Sequence, residues 1–172
     1  MRKPQLLTFF IFFIALAISV NGCKKEDPAK GTDLELYEMA QETTGFVWFK
    51  NSDALLPKSN ITGHSETLIR TRYNNIATTQ LDANGIVNAG ITFPDESLIV
   101  KELYNSATDL STYAIMYKKD NHPDADEAGW VWGYVRANGD VRDPASKKGS
   151  GCRGCHNQGG NIDFTLMNIA FP

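Results

Sequence analysis

Residues 152–156 read Cys-Arg-Gly-Cys-His, and only residues 157–172 lie beyond them. Two thiols one helical turn apart can form thioethers with both vinyl groups of one porphyrin. The next imidazole is then carried under the iron as an axial ligand. The pentapeptide therefore specifies haem c, with Cys152 and Cys155 as attachment points and His156 as the metal ligand. Other readings of the motif fit less well. A thioredoxin-like pair follows a strand and opens a helix, whereas the approach here is Ser146-Lys147-Lys148-Gly149-Ser150-Gly151, which reads as a flexible loop. A structural zinc needs four ligands, and His64 and His122 are distant in sequence. A disulfide between Cys152 and Cys155 would close a tiny loop and contribute little.

The N-terminus reads as a leader rather than as part of the fold. Arg2 and Lys3 precede an almost unbroken apolar run from Leu6 to Val20, short for a membrane span. The run ends in Val20-Asn21-Gly22-Cys23, which resembles a bacterial lipobox with Cys23 as the acylated residue. Residues 1–22 are accordingly expected to be a lipoprotein signal peptide, 23–32 a polar tether and 33–172 one haem-binding domain. Cysteine usage closes on this assignment: of three Cys, one takes lipid and two take haem. The expected location is outside the cytoplasm, on a lipid anchor facing the periplasm or the cell surface. A net charge of -3 with no basic patch argues against a nucleic-acid partner.

The body of the chain is strand-rich. Thr32-Asp33-Leu34-Glu35 has the spacing of a capping box, and apolar residues at helical spacing predict a helix from Asp33 to Thr43. Phe46–Phe49, Thr67–Tyr73, Ser97–Tyr104, Thr112–Lys118 and Trp130–Arg136 read as strands, and Asn75–Leu81 as a short helix. Asn138-Gly139 sits between extended segments as a hairpin turn. In the common small electron-transfer cytochromes c the haem motif lies near the N-terminus with a Met ligand downstream. In four-helix cytochromes c-prime the body is long amphipathic helices. Neither layout is present here.

Several segments together resemble the cytochrome P-460 family, which includes the cytochromes c-prime-beta. They are Arg70-Thr71-Arg72-Tyr73-Asn74-Asn75-Ile76-Ala77, Phe93-Pro94-Asp95-Glu96-Ser97-Leu98-Ile99-Val100-Lys101-Glu102, Tyr113–Lys118, Gly129–Gly133, the haem motif, and Asp163-Phe164. Their order carries the resemblance across Asp33 to Leu166. It implies an α+β fold, an antiparallel β-sheet with flanking helices, usually as a homodimer. It also implies a five-coordinate haem with an open distal side. Some members oxidise hydroxylamine, with nitric oxide as an intermediate, and carry a lysine cross-linked to the porphyrin. Others bind nitric oxide or carbon monoxide in an apolar pocket.

Lys101 is the position that matches the cross-linking lysine. It shares a strand face with Ile99 and Leu103, where lost hydration would lower its pKa and leave a nucleophilic amine; the alternative is a lysine snorkelling beside Glu102. Glu96 stands where the family has Gly. A carboxylate expected shortly before the first haem Cys is replaced by Lys147 and Lys148, so Asp143 is the nearest candidate proton acceptor. Phe46, Trp48, Phe49 and Phe93 are candidates for a distal cap. Arg70 and Arg72 are candidates for pairing with haem propionates, and His64 and His122 read as surface residues. The expected function is a mono-haem cytochrome that binds or oxidises small nitrogen species, an oxidoreductase of the hydroxylamine or nitric oxide type if it is an enzyme. The alternative is a membrane-tethered electron-transfer cytochrome with Met39, Met116 or Met167 as sixth ligand. The redox partner is not specified by the sequence.

Overall fold

The structure, a computed structural model, describes residues 26–172; the leader and Cys23 lie outside the described residues. A seven-stranded antiparallel sheet carries the fold. Its strands are β1 (Val47–Trp48), β2 (Leu56–Pro57), β3 (Leu68–Tyr73), β4 (Leu98–Ser106), β5 (Asp109–Lys118), β6 (Trp130–Arg136) and β7 (Val141–Asp143), with α1 (Thr32–Gln41), α2 (Arg153–His156) and α3 (Met167–Ala170) around it. The order is β1-β3-β4-β5-β6-β7, with β2 also pairing β3. This is the α+β architecture that the family resemblance implies.

Alternation along the strands divides the molecule into two cores. One face of the sheet presents Ile69, Tyr73, Ile99, Leu103, Met116, Trp130 and Trp132, which pack with Phe49, Phe93 and Met167. The other presents Leu98, Val100, Ile115 and Val131, covered by Leu36 and Ala40 of α1. Gly133 permits the closest approach of that helix: a Cβ there would lie 2.9 Å from Leu36 Cδ1. The register places Lys101 between Thr71 and Ala114, and Met116 opposite Trp132. Those side chains share the first face, which becomes the floor of the site.

Several local expectations are corrected. The capping box is not made: Gly31 occupies the N-cap, and the Thr32 hydroxyl instead donates to Asp124 at 2.7 Å. Only two residues of the aromatic segment join the sheet before one tight turn at Phe49–Asn51. Asn75–Leu81 contains a single 3-10 turn, Ala77–Gln80, as its Thr content allows. β4 and β5 run longer than expected because they form one hairpin through Ala107-Thr108, which carries no Gly or Asn signal. The segment read as a tether is in part a strap. The Val141 amide donates to the Asp27 carbonyl, the Ala29 amide to the Gly139 carbonyl (both 2.8 Å), and Glu26 pairs with Arg136. The edge of β7 offers unpaired backbone groups, and residues 26–29 satisfy them.

Candidate haem centre

The first sheet face and the haem motif enclose a cavity of about 520 Å³, within the roughly 300–1,000 Å³ of cofactor sites. Thr71, Ile99, Lys101, Ala114, Met116, Trp132 and Tyr134 form the floor. Cys152, Cys155, His156 and the segment Thr165–Met167 close the opposite side, and His64, Arg142 and Asp143 stand at the margin.

Helix α2 is a single turn, with the His156 amide bonded to the Cys152 carbonyl at 3.1 Å. That turn brings both thiols and the imidazole to one side of the cavity. His156 Nδ1 lies 2.7 Å from the Phe164 carbonyl. A carbonyl only accepts, so Nδ1 carries the proton and Nε2 keeps its lone pair, the tautomer a metal ligand needs. Burial pushes the imidazole pKa down to about 4, helped by the Lys101 charge and opposed by the Phe164 bond. Trp132 meets the ring edge-on at 5.1 Å, and its indole N–H is fixed by Asp126 at 2.9 Å.

The carbonyl that orients His156 is itself held. Asp163 and Phe164 both adopt left-handed backbone, φ 41° and 69°. The Asp163 carboxylate accepts from the Phe93 amide at 2.8 Å and the Trp130 indole at 3.3 Å, and pairs with Lys118 at 3.5 Å. The chain after the motif is thereby tied to the sheet. On the other side of the motif, Gly149 has φ 67°, and a Cβ there would fall 2.5 Å from the Trp132 ring. The approach read as a flexible loop is a packed turn against Trp132.

Lys101 is 9% exposed. Burial alone pushes its pKa down to about 8, the direction expected from its apolar strand face. Cys152 is held up at about 11, by burial first and then by the Asp143 and Cys155 charges. Cys152 and Cys155 are free thiols. Asp143 reaches the cavity margin and pairs with Lys147 at 2.5 Å.

Other candidates are relocated. Arg70 and Arg72 lie on the opposite sheet face, because strand parity separates them from Thr71. Arg72 is fully buried; it pairs with Glu102, donates to the Ala40 carbonyl and packs against Phe46 and Trp48. Arg70 pairs with the same Glu102 at 2.5 Å. Neither lines the cavity, and a propionate role for them is not supported. Phe46 and Trp48 are occupied with Arg72, while Phe49 and Phe93 are packed in the core; none of the four caps the cavity. Met39 packs on the α1 side of the sheet, away from the site, whereas Met116 and Met167 reach it. His122 accepts from the Asp124 amide in its loop. His64, read as a surface residue, lines the cavity instead, and burial pushes its pKa down to about 3. Arg142 was missed. It pairs with Glu66 at 2.5 Å and stacks on Tyr134, and a three-residue strand gave no periodicity by which to find it.

The cytochrome P460 family model matches residues 47–166, spanning the sheet, the lysine-bearing strand and the haem motif. The chain belongs to the cytochrome P460 family. Its members bind haem c with iron, and the chain is a haem c cytochrome of that kind. No curated protein and no solved structure matches it. The cavity suits the group expected of a cytochrome P460. It offers two unbonded thiols and an imidazole with a free Nε2, over a floor whose polar groups are Thr71, Lys101 and Tyr134.

Proposed function

We propose that this cytochrome P460 carries one haem attached through Cys152 and Cys155. His156 is its proximal ligand, and the opposite coordination position is open to small nitrogen species such as nitric oxide or hydroxylamine. The observation that carries the reading is the buried Lys101 in the same cavity as the Cys-x-x-Cys-His turn. A desolvated amine near neutrality is the reactive form, and its position matches the family's cross-linking lysine. When bound, the iron supplies a Lewis-acidic site and an electron sink for such ligands. The chain's own residues orient and exclude. Phe164 holds the His156 tautomer, Trp132 fixes its ring, and Ile99, Ala114 and Met116 keep water from the apolar part of the cavity. Asp143, paired to Lys147, is the carboxylate available to accept a proton at the margin.

Export on a lipidated Cys23, facing the periplasm or cell surface, and a homodimeric state belong to the same proposal. So does an external redox partner that takes the electrons. An electron-transfer cytochrome is the second reading, favoured by the thioethers of Met116 and Met167 at the cavity.

The optical spectrum of the purified holoprotein, ferric and reduced, with and without nitric oxide, separates the two. An open site gives a high-spin ferric spectrum that changes on ligand addition. A six-coordinate low-spin spectrum indifferent to nitric oxide would establish the electron carrier. A strongly red-shifted reduced Soret band that disappears in Lys101→Ala marks the cross-link; a band that survives the substitution removes Lys101 from that role.

A further inference from the structure

His64 has no place in the haem-attachment motif. It stands on the loop between β2 and β3, which is closed by its own contacts. The Lys58 ammonium donates to the His64 carbonyl at 2.8 Å, and the Thr62 hydroxyl donates to the Ser59 carbonyl at 2.9 Å. The Lys58 amide bonds to the Thr67 carbonyl at 2.8 Å. The loop passes over the haem motif: a Cβ on Gly63 would lie 4.0 Å from Cys155 Sγ. The next residue turns its imidazole into the cavity, with its ring 5.7 Å from that of Tyr134.

The imidazole makes no side-chain hydrogen bond among the described residues, while its polar neighbours are engaged. Arg142 is bound to Glu66, and Asp143 to Lys147. Burial, reinforced by the positive charges of Lys101 and His156, keeps the His64 ring neutral at ordinary pH. A neutral imidazole has one N–H to donate and one lone pair to accept. The oxygen of a small ligand in the cavity can accept that N–H.

We propose that His64 is the hydrogen-bond donor of the cavity, which gives its N–H to the oxygen of a small ligand held at the iron. This inference rests on the open-site reading given above.

The test is the infrared C–O stretching band of the reduced holoprotein with carbon monoxide, in the full chain and in His64→Leu, His64→Gln and Asp143→Asn. An N–H beside the ligand oxygen stabilises charge drawn onto it. The band should therefore move to higher frequency in His64→Leu, return part-way in His64→Gln and stay in place in Asp143→Asn. Hydroxylamine affinity, read from the ferric spectrum, should fall roughly fivefold in His64→Leu, the loss of one hydrogen bond. Carbon monoxide that binds with an unmoved band in both His64 variants overturns the role of His64 alone. A wild-type protein that takes no carbon monoxide overturns the open-site reading, and this inference with it. A low-spin ferric spectrum that becomes high-spin in His64→Leu makes His64 an iron ligand and overturns both.

Discussion

Lys101 is a lysine whose surroundings work against its charge. Its pKa falls from an ordinary 10.5 to about 8 because burial on the sheet face strips its hydration. Below pH 8 the amine is charged in the folded and the unfolded chain, so the folded state bears the full cost of burial. Between pH 8 and 10.5 the folded chain releases its proton first, and stability rises with pH. In the haem-free protein, Lys101→Met should stabilise the fold by about 3 kcal/mol at pH 7. The gain should shrink towards zero above pH 10.5, as read by denaturant unfolding at both ends of that range. A gain independent of pH would show that the ammonium is not what is costly. Arg72 is buried too, and burial lowers its pKa to about 10, but its charge has partners. It is as buried as any residue, yet Glu102 and the Ala40 carbonyl receive its charge. The two cations lie in one sheet with opposite fates, and nothing but strand parity decides which faces the cavity.

Single elements set the geometry of the site. The turn before β4 needs a left-handed residue, and Glu96 supplies it with φ 68°, at the position where the family resemblance places Gly. A non-glycine residue there costs about 1 kcal/mol, and the exposed Glu96 pair with Lys119 at 2.8 Å returns little of it. Glu96→Gly should raise the melting temperature modestly, a gain of at most about 1 kcal/mol; a lower melting temperature would mean that the Lys119 contact outweighs the strain. The family pattern in the sequence marked this position, and the backbone explains why. The Asp163-Phe164 pair is legible in the same limited way. The sequence shows that it follows the haem motif, but not that a carboxylate reaching Phe93 and Trp130 is what aims a carbonyl at His156. Helix α1, by contrast, lies within two residues of its expected bounds because its apolar spacing is local information, while its cap was misread because Asp124, distant in sequence, took the Thr32 hydroxyl.

At the scale of the molecule, the strap at residues 26–29 continues the sheet past β7 and brings Glu26 to the margin of the haem cavity. Only Lys24 and Lys25 separate Glu26 from Cys23. Two extended residues span less than about 10 Å, so a lipid on Cys23 would hold the haem domain close to the bilayer rather than on a free tether. Hydrogen exchange tests the strap directly. The amides of Ala29 and Val141 should exchange as slowly as those within β6, and fast exchange at both would return the segment to a loose linker.

The sequence by itself determined the cofactor and the strand-rich body, and it marked the Cys-x-x-Cys-His turn and the lysine worth following, because motif spacing, alternation and chain order are all local or linear information. It could not assign the faces. Which arginines meet the cavity, which aromatics are only core, and whether a histidine in a polar loop is exposed or turned inward depend on residues far apart in the chain meeting at one surface. Arg70 and Arg72 turned away, Arg142 and His64 came in, and a glycine-rich approach became a turn fitted against Trp132. Burial and partner contacts are properties of the packed sheet, and they exist only once the tertiary structure has formed.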